Sequence, residues 1–152
     1  IIRIEIKHRI TLWSRLYTVV SYLKLEFKFQ VWHVWVTGGF GRGFSLKTTE
    51  IYDLKTEKWS ISAILSLARC DHTASLLQNG KVLVAGGFTL NGSSLSSAEL
   101  FDPSTEKWTM TGSMNQPRQS HTTTVLTNGQ VLITGGYGSE LYYPFTQLWT
   151  TY

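Results

Sequence analysis

The chain has 152 residues, a formal net charge of +4, 13 glycines, 13% aromatic residues, 16% charged residues and one cysteine. This length suffices for one domain of average size, and a single cysteine excludes an intramolecular disulfide framework. The composition favours a sheet protein with many tight turns. Residues 1–36 carry six basic and two acidic side chains, whereas residues 37–152 carry eight of each. Because the second region has no excess of basic side chains, we expect no nucleic-acid partner for it.

The first 30 residues differ from the rest of the chain. Residues 2–7 and 23–29 alternate apolar and charged side chains, a pattern typical of half-buried strands. Residues 1–30 lack the landmarks that recur later. We expect either a degenerate first strand at residues 16–30 or a segment foreign to the domain formed by residues 31–152.

The apolar stretch at residues 12–23 is the nearest approach to a targeting or membrane segment. It is too short and too interrupted by Ser14, Arg15, Thr18 and Ser21 to span a bilayer. It also lacks the apolar block and the small-residue cleavage site of a signal peptide. We expect no membrane association, and the sequence predicts no particular compartment.

From residue 33 onward, one pattern occurs three times. The sequence TGGF (37–40) recurs as AGGF (85–88) and TGGY (134–137), so that the first glycines lie 48 and then 49 residues apart. Each is followed by an acidic, an aliphatic and an aromatic residue: EIY (50–52), ELF (99–101) and ELY (140–142). A tryptophan stands seven residues after each aromatic residue: Trp59, Trp108 and Trp149. An internal period near 50 residues indicates a repeat architecture.

The strands within a unit can be predicted from turn signals. In the second unit, Asn79-Gly80 separates two β-prone runs, which predicts an antiparallel hairpin with a type I′ turn. Asn128-Gly129 predicts the same turn in the third unit. The run at residues 82–85 is apolar without alternation, as expected of a strand covered on both faces. A turn beginning at Asp102-Pro103 joins a third strand to a fourth that carries the tryptophan.

The repeat resembles the kelch repeat, whose unit is one four-stranded blade of a β-propeller. The resemblance rests on RxxHT (69–73), NGKVLVAGG (79–87), ELFD (99–102) and Trp108, with a second copy from Arg118 to Trp149. It implies an all-β fold, a partial β-propeller of kelch-type four-stranded antiparallel blades. We expect blade units at about residues 31–65, 66–114 and 115–152.

The recurring residues are predicted to build the scaffold, because a single active site does not need recurrence. We expect each tryptophan to pack between blades and the repeated glutamates to pair with backbone groups or with the repeated arginines. His72 and His121 occupy equivalent positions and are predicted to be structural. HExxH, CxxC and GxSxG motifs are absent, and residues 38–43 lack the ending of a phosphate-binding loop. We therefore predict a protein that is not an enzyme, with no catalytic residues, no metal site and no cofactor.

Three units raise a problem of closure, since propellers usually close with four to eight blades. An open array would leave two exposed faces and strand edges that favour pairing with another chain. We expect the sequence to be part of a propeller of six or seven blades, or else to self-associate into a closed ring.

Function is therefore predicted to lie in the loops. In kelch propellers, the loops between the second and third strands and between blades line one face, often the face that binds a protein partner. Residues outside the repeat pattern in these loops are the best contact candidates: Arg42, Phe44, Asn91 and Gln116. Asn91 also begins a glycosylation sequence, Asn-Gly-Ser, which matters only in a secreted protein.

An alternative interpretation is a secreted galactose oxidase-like or carbohydrate-binding propeller. The galactose oxidase family is also built from kelch-type repeats, with a copper site of two tyrosines and two histidines. No stretch of this chain matches the motifs of that site, so the resemblance implies a shared scaffold rather than oxidase chemistry. The first interpretation, a non-catalytic kelch scaffold for protein–protein interaction, is the one that we favour.

Overall fold

The computed structural model describes residues 33–41, 43–53, 55–135 and 138–151, which form strands and no helix. The strands are β1 (His33–Thr37), β2 (Phe40–Gly41), β3 (Phe44–Ser45), β4 (Thr49–Asp53), β5 (Lys58–Ile61), β6 (Thr73–Leu76), β7 (Val82–Ala85), β8 (Ala98–Asp102), β9 (Lys107–Met110), β10 (Thr122–Val125), β11 (Val131–Thr134), β12 (Ser139–Tyr143) and β13 (Leu148–Thr151). Within these ranges nothing resembles a helical membrane span. The two alternatives for residues 1–30 fall outside the described residues.

The strands form three successive antiparallel sheets, which we call the first, second and third sheets. The first consists of β1, β4 and β5, the second of β6 to β9 and the third of β10 to β13. Strands β2 and β3 form a small hairpin between β1 and β4. The order within each sheet follows the chain, and β1 pairs with β4 across the β2–β3 hairpin. The predicted all-β class and the four-stranded antiparallel units are confirmed.

The predicted type I′ turns are wrong in detail. Gly80 has φ 81°, but Asn79 is not among the residues with positive φ, as a type I′ turn would require. The amide of Leu77 donates to the carbonyl of Lys81 (2.8 Å) and that of Gly80 donates to the carbonyl of Leu77 (3.0 Å). Three residues thus connect the strands, with glycine in the left-handed position. The Asn79 side chain accepts from the amide of Lys81 (3.1 Å), which explains why asparagine suits this turn.

The apolar strand β7 is buried on both faces, as its sequence predicts. Val82 and Val84 pack toward the first sheet, in a cluster with Trp35 and Leu65. Leu83 belongs to a second cluster that includes residues of the third sheet. Successive side chains of a strand point to opposite faces, so β7 supplies both interfaces of the central sheet. Burial of this kind is the main favourable contribution to the folding of such an array.

Trp108 and Trp149 pack between sheets, and each donates one hydrogen bond to the preceding sheet or its connection. Trp59 of the first sheet is 46% exposed and has no such neighbour among the described residues, so the predicted packing of each tryptophan holds for two of the three. Trp108 Nε1 donates to Oγ1 of Thr49 in the first sheet (3.0 Å). Trp149 Nε1 donates to the carbonyl of Gly112, in the connection after the second sheet (2.7 Å). Both indoles are only 8% exposed. Their N–H groups are satisfied where the rings are buried, as buried tryptophan requires.

The paired glycines are explained by the approach of the next sheet. Gly86 has φ +65°, and a Cβ atom there would lie 2.5 Å from the carbonyl oxygen of Arg118 and 2.7 Å from Cε1 of His121. Gly87 donates its N–H to that same Arg118 carbonyl (2.8 Å). One unit earlier, the Gly39 amide donates to the carbonyl of Arg69 (2.8 Å). The glycine pairs of the first and second sheets therefore receive the arginine and histidine of the following sheet.

Replacing Gly86 by alanine should destabilise the protein more than the same change at Gly92. Both residues have positive φ, +65° and +76°, but nothing lies within 4 Å of a Cβ atom at Gly92. Left-handed backbone costs alanine about 1–2 kcal/mol at either position, and forced overpacking adds about 1–3 kcal/mol at Gly86. Urea unfolding of the two variants measures the difference. Equal losses would contradict the close approach to Arg118.

Candidate functional site

The connections on one side of the sheets form a continuous surface, which we call the loop face. It comprises two loops within sheets, residues 38–48 and 86–97, and two linkers between sheets, residues 62–69 and 111–118. Each linker is hydrogen-bonded to the loop of the sheet that it leaves. Amides of the first linker donate to carbonyls in the first loop, Leu65 to Lys47 (2.8 Å) and Arg69 to Leu46 (2.9 Å). Backbone bonds thus hold loops and linkers together.

The second linker repeats this arrangement. The amides of Met114 and Arg118 donate to the carbonyls of Ser96 (2.8 Å) and Leu95 (3.1 Å). The loops of neighbouring sheets also meet, because the Ser45 hydroxyl donates to the carbonyl of Phe88 (3.4 Å). The loop face therefore continues from the first sheet to the second.

A buried carboxylate holds each linker by accepting hydrogen bonds from its backbone amides. Both oxygens of Glu99 accept backbone hydrogen bonds from the first linker, from the amides of Ser66 (2.7 Å) and Leu67 (3.2 Å). Glu99 also forms an ion pair with Arg69 (2.9 Å), with both side chains fully buried. Hydrogen bonds to an ionised acceptor are about twice as strong as neutral ones. Glu99 thus sets the position of the linker relative to the second sheet.

The third sheet contains the same arrangement, in which a buried glutamate binds both an arginine and the linker amides; we call this arrangement the clamp. Glu140 accepts from the amides of Asn115 (2.7 Å) and Gln116 (3.2 Å) and from the Asn115 side chain (2.9 Å). It also accepts from the guanidinium of Arg118 (2.5 Å). The prediction that the repeated glutamates pair with arginines or backbone groups is confirmed for these two, which pair with both. In the first sheet the equivalent Glu50 is exposed.

The arginines are more completely bonded than the sequence indicates. Arg69 Nη1 donates to the carbonyls of Gly86 (2.9 Å) and Ser97 (3.0 Å), and Nη2 donates to the Ser97 hydroxyl (3.2 Å) and to Glu99. Burial lowers the pKa of Arg69, while the charge of Glu99 and its hydrogen bond oppose that shift. The guanidinium is therefore committed to the scaffold and cannot contact a ligand.

The predicted contact residues are distributed over the loop face. Phe44 is 59% exposed in strand β3, and Asn91 is exposed at the tip of the second loop. These two loops are the ones that Ser45 joins. Gln116 is exposed in the second linker, where its amide is held by Glu140. Arg42 lies outside the described residues, and the assignment of all four as contacts stays a prediction, as does glycosylation at Asn91.

Sequence reasoning missed three exposed apolar side chains of the loop face. They are Ile64, Leu67 and Leu90. The signal was available in the linkers, because Leu67 occupies the position of Gln116 and Ile64 that of Ser113 in the following unit. An apolar residue where the next unit has a polar one is not required by the scaffold. With Phe44, they give the loop face four large exposed apolar side chains.

The recurring histidines are buried beneath the loop face. Burial lowers the pKa of His72 to about 3, and the charges of Arg69 and His121 act in the same direction. Burial also lowers the pKa of His121 to about 4, with Arg118 contributing. His121 Nε2 is hydrogen-bonded to the Thr73 hydroxyl of the preceding sheet (2.9 Å). His121 thus belongs to the contact between the second and third sheets, whereas the His72 ring lies against Gly38 of the first sheet.

Metal-ligating side chains and the single cysteine are the remaining candidates for a chemical site. Among the residues that the structure describes, no three His, Cys, Asp or Glu side chains lie close enough together to hold a metal ion. Cys70 is buried beside Ser45, and burial raises the pKa of its thiol. A buried thiol of raised pKa is a poor nucleophile.

Comparison with known proteins gives one family. The sequence matches the kelch motif at residues 33–66 and 69–115, together more than half of the chain. These residues contain the first sheet, the second sheet and both linkers except residues 67–68 and 116–118. A search of curated protein sequences finds no significant match.

Removing the Glu99 carboxylate should destabilise the protein strongly. Glu99→Ala leaves the buried Arg69 charge and two linker amides without their acceptor, and breaking a buried ion pair costs about 3–5 kcal/mol. Lys107→Ala is the control in the same sheet, since it removes an exposed charge in β9, and an exposed substitution should change stability by less than about 0.5 kcal/mol. Chemical denaturation of both variants measures the two changes. Similar small losses would show that the clamp contributes little.

Stability should fall as the pH is lowered from about 6.5 toward 4. The folded pKa values of His72 and His121, about 3 and about 4, lie below the unfolded value near 6.5. The unfolded chain then binds protons that the folded chain excludes, so the stabilisation is complete above pH 6.5 and is lost below it. His121→Gln should reduce the loss between pH 6.5 and 5 by about 2 kcal/mol. Urea unfolding at both pH values tests this, and an unchanged loss in the variant would contradict it.

Proposed function

Because the chain belongs to the kelch-motif family, we propose that it is a non-catalytic scaffold that binds a protein partner through its loop face. Kelch repeats are commonly protein-interaction scaffolds. The observation that carries the proposal is the contrast between the buried, repeated polar residues and the exposed, unrepeated apolar ones. The first group is Arg69, Glu99, Arg118 and Glu140, and the second is Phe44, Ile64, Leu67 and Leu90.

The apolar side chains of the loop face are suited to a protein surface. Aromatic and large aliphatic residues are typical anchors at the centre of protein interfaces. Here they extend from backbone that is already fixed by Glu99 and by the bond from Ser45 to Phe88. A partner that binds this face therefore loses little loop entropy of the scaffold, which favours affinity.

The same contacts support a role without catalysis. A general acid or base has to reach its substrate with a pKa near the working pH. His72 and His121 are buried and neutral at that pH. The buried carboxylates of Glu99 and Glu140 are occupied by arginine and linker amides. A secreted galactose oxidase-like or carbohydrate-binding propeller remains the alternative, and the same binding experiment addresses it.

The test is quantitative co-purification followed by direct binding. The wild-type chain is compared with a loop variant, Phe44→Ala combined with Leu90→Ala, and with Phe145→Ala as a control. Phe145 is 99% exposed and lies in the β12–β13 turn, at the end of the sheet opposite to the loop face. We expect a protein partner whose Kd rises by at least about 30-fold for the loop variant, the loss typical of hot-spot residues.

The control distinguishes a contact at the loop face from a general effect of removing an exposed aromatic side chain. Phe145→Ala should bind like the wild type, because it removes an exposed aromatic side chain elsewhere. A partner lost equally from both variants, or from neither, would contradict binding at the loop face. Binding to a glycan array without any protein partner would favour the carbohydrate-binding alternative.

A further inference from the structure

The outer side of the first sheet carries an aromatic pair without a neighbouring sheet in the described part of the chain. Trp35 and Ile51 pack toward the second sheet, so that Tyr52 and its register partner Trp59 lie on the opposite face. Their ring centroids are 5.1 Å apart. Trp59 is 46% exposed, in contrast to 8% for Trp108 and Trp149. We call this surface, with the exposed Ile61 and Glu50, the aromatic face.

This face has the composition of an interface that recurs in the same molecule. In the second sheet the equivalent pair is Phe101 and Trp108, with centroids 5.2 Å apart, and it packs against the first sheet. In the third sheet the pair is Tyr142 and Trp149, and it packs against the second. The pair on the first sheet thus matches two others that each rest on a preceding sheet.

The third sheet has a face of the opposite kind, also without a neighbouring sheet among the described residues, which we call the leucine face. Tyr142 and Trp149 point toward the second sheet, so Leu132, Leu141 and Leu148 point away from it. The equivalents of Leu132 and Leu141 in the second sheet, Leu83 and Leu100, are buried against the third sheet. Leu141 is 8% exposed, Leu132 is half-buried and Leu148 is exposed. The leucine face is therefore the surface on which an aromatic face would pack.

Two hydroxyl groups make the match more specific. In the first sheet, Thr49 accepts the indole hydrogen bond from Trp108 and is itself hydrogen-bonded to Thr37 (2.9 Å). The equivalent positions of the third sheet hold Ser139 and Thr134, which are register partners. In the second sheet both positions are alanine, Ala98 and Ala85, and there the next tryptophan donates to a backbone carbonyl instead. The leucine face thus repeats the tryptophan acceptor of the first sheet.

We propose that two copies of this chain associate into one closed ring, with the aromatic face of each copy packed on the leucine face of the other and Trp59 Nε1 donating to the Ser139 hydroxyl. Two copies of three sheets give six, within the range in which propellers close. The interface joins two different surfaces, and such interfaces form closed rings when the rotation between subunits closes. Both open faces of each copy are then buried. The association is separate from the loop face.

The mass of the 152-residue chain in solution tests the ring. Sedimentation equilibrium should give a dimer, twice the 17.2 kDa of one chain. Trp59→Asp and Leu132→Asp should each raise the dimer Kd by at least about 30-fold. Phe145→Asp is the matched control, since it adds the same charge at an exposed position on neither face, and it should leave the dimer intact. Circular dichroism of each variant verifies folding.

A milder pair of substitutions tests the proposed hydrogen bond. Trp59→Phe and Ser139→Ala should each raise the dimer Kd by about 5-fold, the loss expected for one hydrogen bond. Because both remove the same bond, the double variant should lose no more than either single variant. Additive losses would show that Trp59 and Ser139 do not meet.

The remaining outcomes each decide against the ring. A folded wild-type monomer at micromolar concentration would overturn the proposal, as would a dimer unaffected by both aspartate variants. A dimer weakened by Trp59→Asp alone would indicate contact between two aromatic faces, which cannot give this ring.

The ring and the proposed function can fail independently. Because Phe44 and Leu90 lie outside both faces, a loop variant that loses its protein partner but stays dimeric separates the two results.

Discussion

The structure depends on a buried arginine whose guanidinium binds its own sheet and whose backbone carbonyl binds the preceding sheet. The guanidinium of Arg69 is paired with Glu99 and with carbonyls of its own sheet, while its backbone carbonyl accepts from Gly39 of the preceding one. Its carboxylate partner in turn holds the linker through two amides. One pair of charges therefore fixes the sheet, its neighbour and the connection between them. The cost of burying both charges is offset because nearly every polar atom of the pair has a partner.

Much of this fold could be predicted because it recurs. The strands, their antiparallel order and the position of each tryptophan follow from landmarks that keep their spacing, and so does the pairing of Glu99 with Arg69. Which backbone groups Glu99 binds could not be predicted, because the two linker amides lie 32 and 33 positions away and carry no sequence signature. The Asn79-Gly80 turn was misjudged because both kinds of turn place glycine at positive φ.

The candidate site was harder to predict than the scaffold. Phe44 was identified because the repeat pattern does not dictate it, but Ile64 and Leu67 resemble core residues in a linear sequence. Only the backbone of the linker, drawn inward by Glu99, makes clear that Leu65 points into the core while its neighbours remain exposed. The clamp thus decides which side chains of a linker are available for contact.

The contact between a glycine pair and the arginine and histidine after it is directional. Each unit presents its glycines to the unit that follows and its arginine carbonyl to the unit that precedes. A tandem duplication of one whole unit therefore supplies both halves of the contact at once, and the new copy fits between its neighbours without compensating substitutions. Loops carry none of these contacts at their tips and can diverge afterwards. Because the contact needs only two glycines and one carbonyl, duplication of one whole unit of about 50 residues is the simplest way for such a protein to lengthen in evolution.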